Sequence, residues 1–187
     1  PYPPRSECAR LSPMSDRLSP HFSDVEFLDW RSGHVWLTPT SRARYVELAT
    51  RTLEPLRSEL GRSIAVVSGE RRESKTAANS RHMPPELRPS AKERGKPDGS
   101  PDAAADIKSA GVSPLDLALL VLRLMAQRVI PVGGVGIYPG FVHVDNRGRL
   151  ASWRGQGVDD ATFARFRAGV ADCATCIRIS MEVSTDD

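Results

Sequence analysis

Three separated fragments of the sequence carry the residues best suited to chemistry: Ser80-Arg81-His82, Ala104-Ala105-Asp106-Ile107 and Phe141-Val142-His143-Val144-Asp145. The chain has only four histidines, and two of them lie in these fragments. Two imidazoles and a carboxylate are a common protein ligand set for catalytic zinc, which keeps its fourth position for water. The fragments make joint sense if they meet at one zinc ion, and hydrolysis is the first expectation for such a site.

Positioning these groups requires a sheet and flanking helices. Residues two apart on a strand share a face, so Phe141, His143 and Asp145 point one way while Val142 and Val144 enter the core. The glycine-rich run Gly133-Gly134-Val135-Gly136-Ile137-Tyr138-Pro139 comes just before. The pattern predicts strands over Val135 to Tyr138 and Phe141 to Val144, joined around Pro139-Gly140. Ser63-Ile64-Ala65-Val66-Val67 predicts a buried strand ending in the turn Ser68-Gly69. Ser23 is placed to cap a short helix with Val25, Phe27 and Leu28 inward. A longer helix opens at Thr40 or Ser41 and stops at Gly61, with Tyr45, Val46, Leu48, Ala49, Leu53, Leu56 and Leu60 at helical spacing and a kink at Pro55. Ser113-Pro114 opens another helix to about Gln127. Asp159-Asp160 starts a last one through Phe163, Phe166 and Val170. The fold class is α+β, a small antiparallel sheet flanked by helices.

A chain of 187 residues builds one sizeable core without a second domain. The expected organisation is a flexible arm over 1–20, a catalytic domain over 21–172 and a solvated tail over 173–187. Fifteen prolines and few aromatics point to long connections. The net charge of +3 suits approach to an anionic polymer, but the basic residues lack the interleaved aromatics of specific nucleic-acid binding. No run reaches the ~20 apolar residues of a membrane span; Leu115 to Met125, the longest, carries Asp116 and Arg123 and reads as a core helix. Cys8 stands alone, and the Cys173/Cys176 pair has no second pair to complete a structural zinc site, so a local disulfide or free thiols are expected. The first residues show no signal h-region, which leaves periplasm, cell wall and phage particle all open as locations.

In their order, Ser68-Gly69-Glu70-Arg71, Asn79-Ser80-Arg81-His82-Met83, Ala104-Ala105-Asp106-Ile107 and Gly134-Val135-Gly136-Ile137-Tyr138 through Asp145 resemble the zinc peptidases of the D-alanyl-D-alanine carboxypeptidase and murein endopeptidase family. The likeness spans about residues 21 to 154. It implies a hedgehog/D-Ala-D-Ala-peptidase-like fold and a Zn2+ ion held by His82, Asp106 and His143, with Arg71 near the substrate. The implied activity is hydrolysis of peptidoglycan stem peptides or cross-bridges. The family keeps a short spacing with a glycine between its first His and its Asp. Here 24 positions separate His82 from Asp106, and Asp102 stands where the glycine aligns. A proline-rich, charged insertion over about 84–101 accounts for the difference and is expected to be exposed and to supply no ligand. Loop-closure scaling puts its cost at only ~1 kcal/mol, against roughly 10–16 kcal/mol for structural zinc in small peptides.

The family's usual general base lies two or three residues before the last ligand, where this chain has Phe141 and Gly140. Asp145 is then the candidate base, or the carboxylate that orients His143. Arg71 offers a planar fork for a substrate carboxylate. Tyr138 offers either an O–H for the scissile carbonyl or a packing ring, and Ser80 either a helix cap or a substrate hydrogen bond. Arg88, Lys92, Arg94 and Lys96 read as a solvated loop. The alternative function is a noncatalytic, zinc-stabilised structural or wall-binding module, such as a phage virion component.

Overall fold

Apolar residues at helical spacing build one long helix, and a π-helical segment precedes Pro55 in it. The computed structural model, which describes residues 17–28, 35–71, 80–88 and 102–182 with side chains to 178, resolves it into three parts. Helix α1 (Asp24–Phe27) precedes α2 (Ser41–Leu48), which passes through a π-helical segment (Ala49–Leu53) into α3 (Glu54–Leu60). Glu54 N–H bonds to Ala49 O, five residues back. Proline lacks an N–H, and in a regular helix its ring collides with the carbonyl four residues earlier; the wider turn just before Pro55 accommodates it. Tyr45, Leu48, Ala49, Leu53 and Leu56 are fully buried. Gly61 ends α3 at φ 67°, a left-handed conformation that glycine adopts without steric cost.

Five strands follow in one sheet: β1 (Ala65–Ser68), β2 (Ala104–Lys108), β3 (Gly134–Ile137), β4 (Val142–Asp145) and β5 (Ala151–Arg154), ordered β1-β2-β4-β3-β5. The sheet is mostly antiparallel, with β5 lying parallel to β3. One face carries Ala105, Ile107, Val135, Ile137, Val142 and Val144, all without solvent exposure. Burying side chains such as these contributes roughly 1.5–3 kcal/mol each for the larger ones. α4 (Pro114–Ala126) packs on this side through Leu117, Ala118 and Val121, and α5 (Asp160–Glu182) packs on α4, with Gly169 set against Leu119. The opposite face carries a cross-strand row in register: Ser68 beside Asp106, Asp106 beside His143, His143 beside Gly136, and Gly136 beside Trp153.

Several expectations need correction. Leu18 is 5% exposed and Arg17 bridges to Ser23, so packing begins before His21 and the arm is not loose to residue 20. α1 has a single turn, so it turns Phe27 inward but leaves Val25 exposed. α5 continues through the expected tail to Glu182, with Cys173 buried and Cys176 exposed, both free thiols. Cys8, His34, Lys92, Arg94 and Lys96 lie outside the described residues. Among the described residues no helix is long and apolar enough to cross a membrane.

The start of the insertion is packed rather than exposed. Pro84, Pro85 and Arg88 are buried, and a 3-10 turn over Pro85–Leu87 brings Arg88 back onto the chain. Arg88 donates to Met83 O at 2.8 Å, and its Nη2 lies 2.6 Å from Asp102 Oδ1; Arg81 Nη1 reaches Asp102 Oδ2 at 2.5 Å. Asp102 has no exposure, and its carboxylate neutralises two buried arginines. Removing one member of a buried ionic group costs roughly 3–5 kcal/mol, and Arg88→Ala is expected to lose that much in urea unfolding. Leu87→Ala, on the exposed side of the same turn, is expected to change stability by less than about 0.5 kcal/mol; equal losses would contradict this packing.

Candidate metal centre

Strand register brings Asp106 of β2 opposite His143 of β4, and the turn after Ser80 lowers His82 onto the pair. Three atoms converge: His82 Nε2 lies 3.1 Å from His143 Nδ1 and 3.2 Å from Asp106 Oδ1, and His143 Nδ1 lies 3.0 Å from the same oxygen. Among the described residues this is the one group of His, Cys, Asp and Glu side chains arranged to hold a metal ion. Zinc bonds of about 2.0–2.1 Å at tetrahedral angles place ligand atoms about 3.3 Å apart, so the cluster fits that ion with little adjustment.

The far side of each ligand is already engaged. His82 Nδ1 lies 2.5 Å from Gly69 O, a carbonyl that can only accept, so this nitrogen carries the proton and Nε2 presents a lone pair inward. His143 Nε2 lies 3.3 Å from Asp145 Oδ2, which leaves Nδ1 facing the cluster. Asp106 Oδ2 accepts from Arg71 Nη2, so Oδ1 is the oxygen turned toward the imidazoles. Outer partners of this kind fix tautomer and ring orientation in metal sites.

Burial pushes the His82 pKa down, and Asp106 recovers only part of the loss. Burial acts on His143 in the same sense, but the two carboxylates of Asp106 and Asp145 outweigh it and raise the pKa. The opposite outcomes follow from His143 having one carboxylate more. Burial works against ionisation of Asp106, yet the imidazoles of His143 and His82 beside it hold it well below the usual carboxylate range. Asp145 is held low in the same way by His143 and Arg147.

The remaining candidates fall around this cluster. Asp145 has no exposure and accepts from Gly134 N–H at 2.9 Å, Arg147 N–H at 3.1 Å and Arg147 Nε at 2.8 Å. That is the environment of an orienting carboxylate, with its lone pairs taken. Arg71 donates to Ser68 Oγ at 2.7 Å as well as to Asp106, and its side chain remains 32% exposed. Tyr138 stacks on Phe141 at 4.4 Å, and its hydroxyl accepts from Trp153 Nε1 at 3.0 Å. Ser80 serves the turn: its carbonyl accepts from Met83 N–H and its hydroxyl from His82 N–H.

Five contributors were not singled out from the sequence. Trp153 lies 4.8 Å from the His143 ring, and an added Cβ at Gly136 would collide with its indole. Arg147, two residues past the end of β4, grips Asp145; the signal was that spacing of two. The Gly69 carbonyl carries no side-chain signal at all. Arg44 and Glu70, ion-paired at 3.2 Å with side chains essentially unexposed, fix the backbone on which His82 sits. No family model, curated protein or solved structure matches this chain.

Removal of either imidazole is expected to abolish stoichiometric zinc: His82→Ala and His143→Ala should purify without it, while His21→Ala, which breaks a pair with Glu54 elsewhere, should keep one ion per chain. Full occupancy in either ligand variant would overturn the assignment. Zinc must also displace a proton. His143 stays protonated above the ordinary value of 6.5, whereas His82 is already neutral there. Affinity is therefore expected to fall about tenfold per pH unit below the His143 pKa, with one proton released per ion. Chelator-competition titrations over about pH 6–7, where zinc-bound water keeps its protons, measure this, and a two-proton slope across that range would contradict it.

Proposed function

We propose that this protein is a zinc-dependent peptidase acting on peptidoglycan stem peptides or cross-bridges, with His82, Asp106 and His143 as zinc ligands. The observation that carries the reading is the convergence of three ligand atoms within 3.2 Å of one another, each backed by a partner on its far side. The substrate class rests on the order of sequence motifs described above. When bound, zinc supplies Lewis acidity, lowering the pKa of water to about 7 and polarising a peptide carbonyl. Asp145 holds His143 in the ligating orientation. Arg71 turns Asp106 toward the cluster, and the exposed part of its guanidinium holds a substrate carboxylate. Tyr138 accepts from Trp153 and so keeps its own proton to donate to a substrate oxygen.

One observation favours the second reading, a noncatalytic zinc-stabilised structural or wall-binding module. Asp145, the carboxylate nearest to the role of general base, is enclosed and already engaged by Arg147, Gly134 and His143. Digestion of purified peptidoglycan and of a D-Ala-terminated stem peptide separates the two. A peptidase is expected to give soluble fragments or free D-alanine, to stop on chelation, and to lose about 100-fold in rate in Arg71→Ala assayed at saturating zinc, because misplacing the substrate alone costs that much. Asp145→Asn is expected to weaken zinc about 10–100-fold, as loss of an orienting carboxylate does. Zinc-loaded protein that cleaves none of these substrates would leave the noncatalytic module as the account.

A further inference from the structure

We propose a second ligand site, sharing no residue with the metal centre: a groove that binds a small amphipathic anion, a carboxylate or phosphate bearing a short hydrocarbon chain. The groove has a volume of about 490 Å3 and lies between the π-helical segment, the turn after α4 and the later part of α5. Pro55, Val129, Pro131 and Ile177 give it apolar walls, and its charged lining groups are Arg51 and Arg128. Small-molecule sites have this make-up, largely apolar walls with a few polar groups that fix the orientation of the ligand, in volumes of about 300–1,000 Å3.

Charge selects the ligand. Both ionic groups at the groove are guanidinium ions, which pair with carboxylate or phosphate through parallel N–H donors. Glu47 is 3.8 Å from Arg51, one turn back on a helix surface with Arg51 68% exposed, and such a pair contributes little and yields readily to a better partner. Both arginines also stand on irregular backbone. Arg51 belongs to the π-helical segment, a feature that recurs at functional sites. Arg128 holds φ at 58° in the turn where Val129 N–H closes onto Leu124 O at 2.9 Å, a position at which glycine is the ordinary residue. A side chain retained at a cost to the backbone points to a use for that side chain. Val129 next to it is 50% exposed, an apolar surface at the groove with nothing over it among the described residues.

Octanoate and octyl phosphate, titrated into the full chain and followed by amide chemical shifts, test the proposal. Octanol and inorganic phosphate test each half of the ligand alone. At least one of the two amphipathic anions is expected to shift the amides of Arg51, Arg128 to Val132 and Ile177, and which one binds more tightly identifies the head group. Octanol and inorganic phosphate are expected to bind at least about tenfold more weakly, as is octyl anion to Arg51→Gln or Arg128→Gln, since each lacks one half of the recognition. Arg128→Gly separates binding from damage: glycine accepts the left-handed backbone, so Tm should hold or rise while affinity falls. Equal affinity for octanol, undiminished binding in both arginine variants, or no shift with either anion would each overturn the proposal.

Discussion

A single buried guanidinium holds the parts of the candidate metal centre together. Arg44 enters the interior from α2 with its side chain fully enclosed, and Glu70 meets its charge at 3.2 Å. Its Nη1 and Nη2 groups also reach Asp102 O at 2.7 Å, His82 O at 3.0 Å, Met83 O at 3.2 Å and Arg81 O at 3.4 Å. An unpaired charge in such a place costs several kcal/mol, so the arrangement is stable only when all its members are present. Those members come from both sides of the segment 89–101. The stretch carrying His82 and the residue that leads into β2 are bound to one side chain, and Arg81 and Arg88 add a second tie through Asp102. Loop-closure entropy grows only slowly with length, so with its ends tied the connecting segment leaves the spacing of His82 and Asp106 untouched.

The sheet supplies the other half of the geometry. Strand register alone sets Asp106 against His143, and the valines on either side of His143 anchor its strand to the core. Glycine makes the room: Gly136 admits the Trp153 indole beside His143, and Gly134 admits the Asp145 carboxylate. The ligands thus sit on a rigid element, with irregular backbone used only for His82, where the Arg44 network takes over the role of the sheet. This division explains why the cluster is preorganised although one ligand lies on a turn.

The α+β class, the strands bearing Val135 and His143, the stop at Gly61 and the helix opened by Ser113-Pro114 were legible because period, caps and breakers act over a few residues. His143 and Asp145 on one face, with valines on the other, was readable from strand alternation alone. β5 was not, since Ser152 and Arg154 interrupt a strand of only four residues. The buried roles of Arg44, Arg88 and Asp102 were hidden for a different reason. A charged residue reads as solvent-facing until its partners are known, and here the partners are backbone carbonyls and carboxylates 5 to 58 positions away in sequence. The length of α5 was hidden as well, because residues 174–178 bury little that a periodicity argument detects.

The central claim is that one zinc ion is held by two imidazoles and a carboxylate, and X-ray absorption at the zinc edge of the purified protein tests it most directly. The account predicts a first shell of only nitrogen and oxygen at about 2.0–2.1 Å, with the outer-shell scattering of two imidazole rings. A sulfur shell at about 2.3 Å would assign the metal to Cys173 and Cys176 instead and contradict the account.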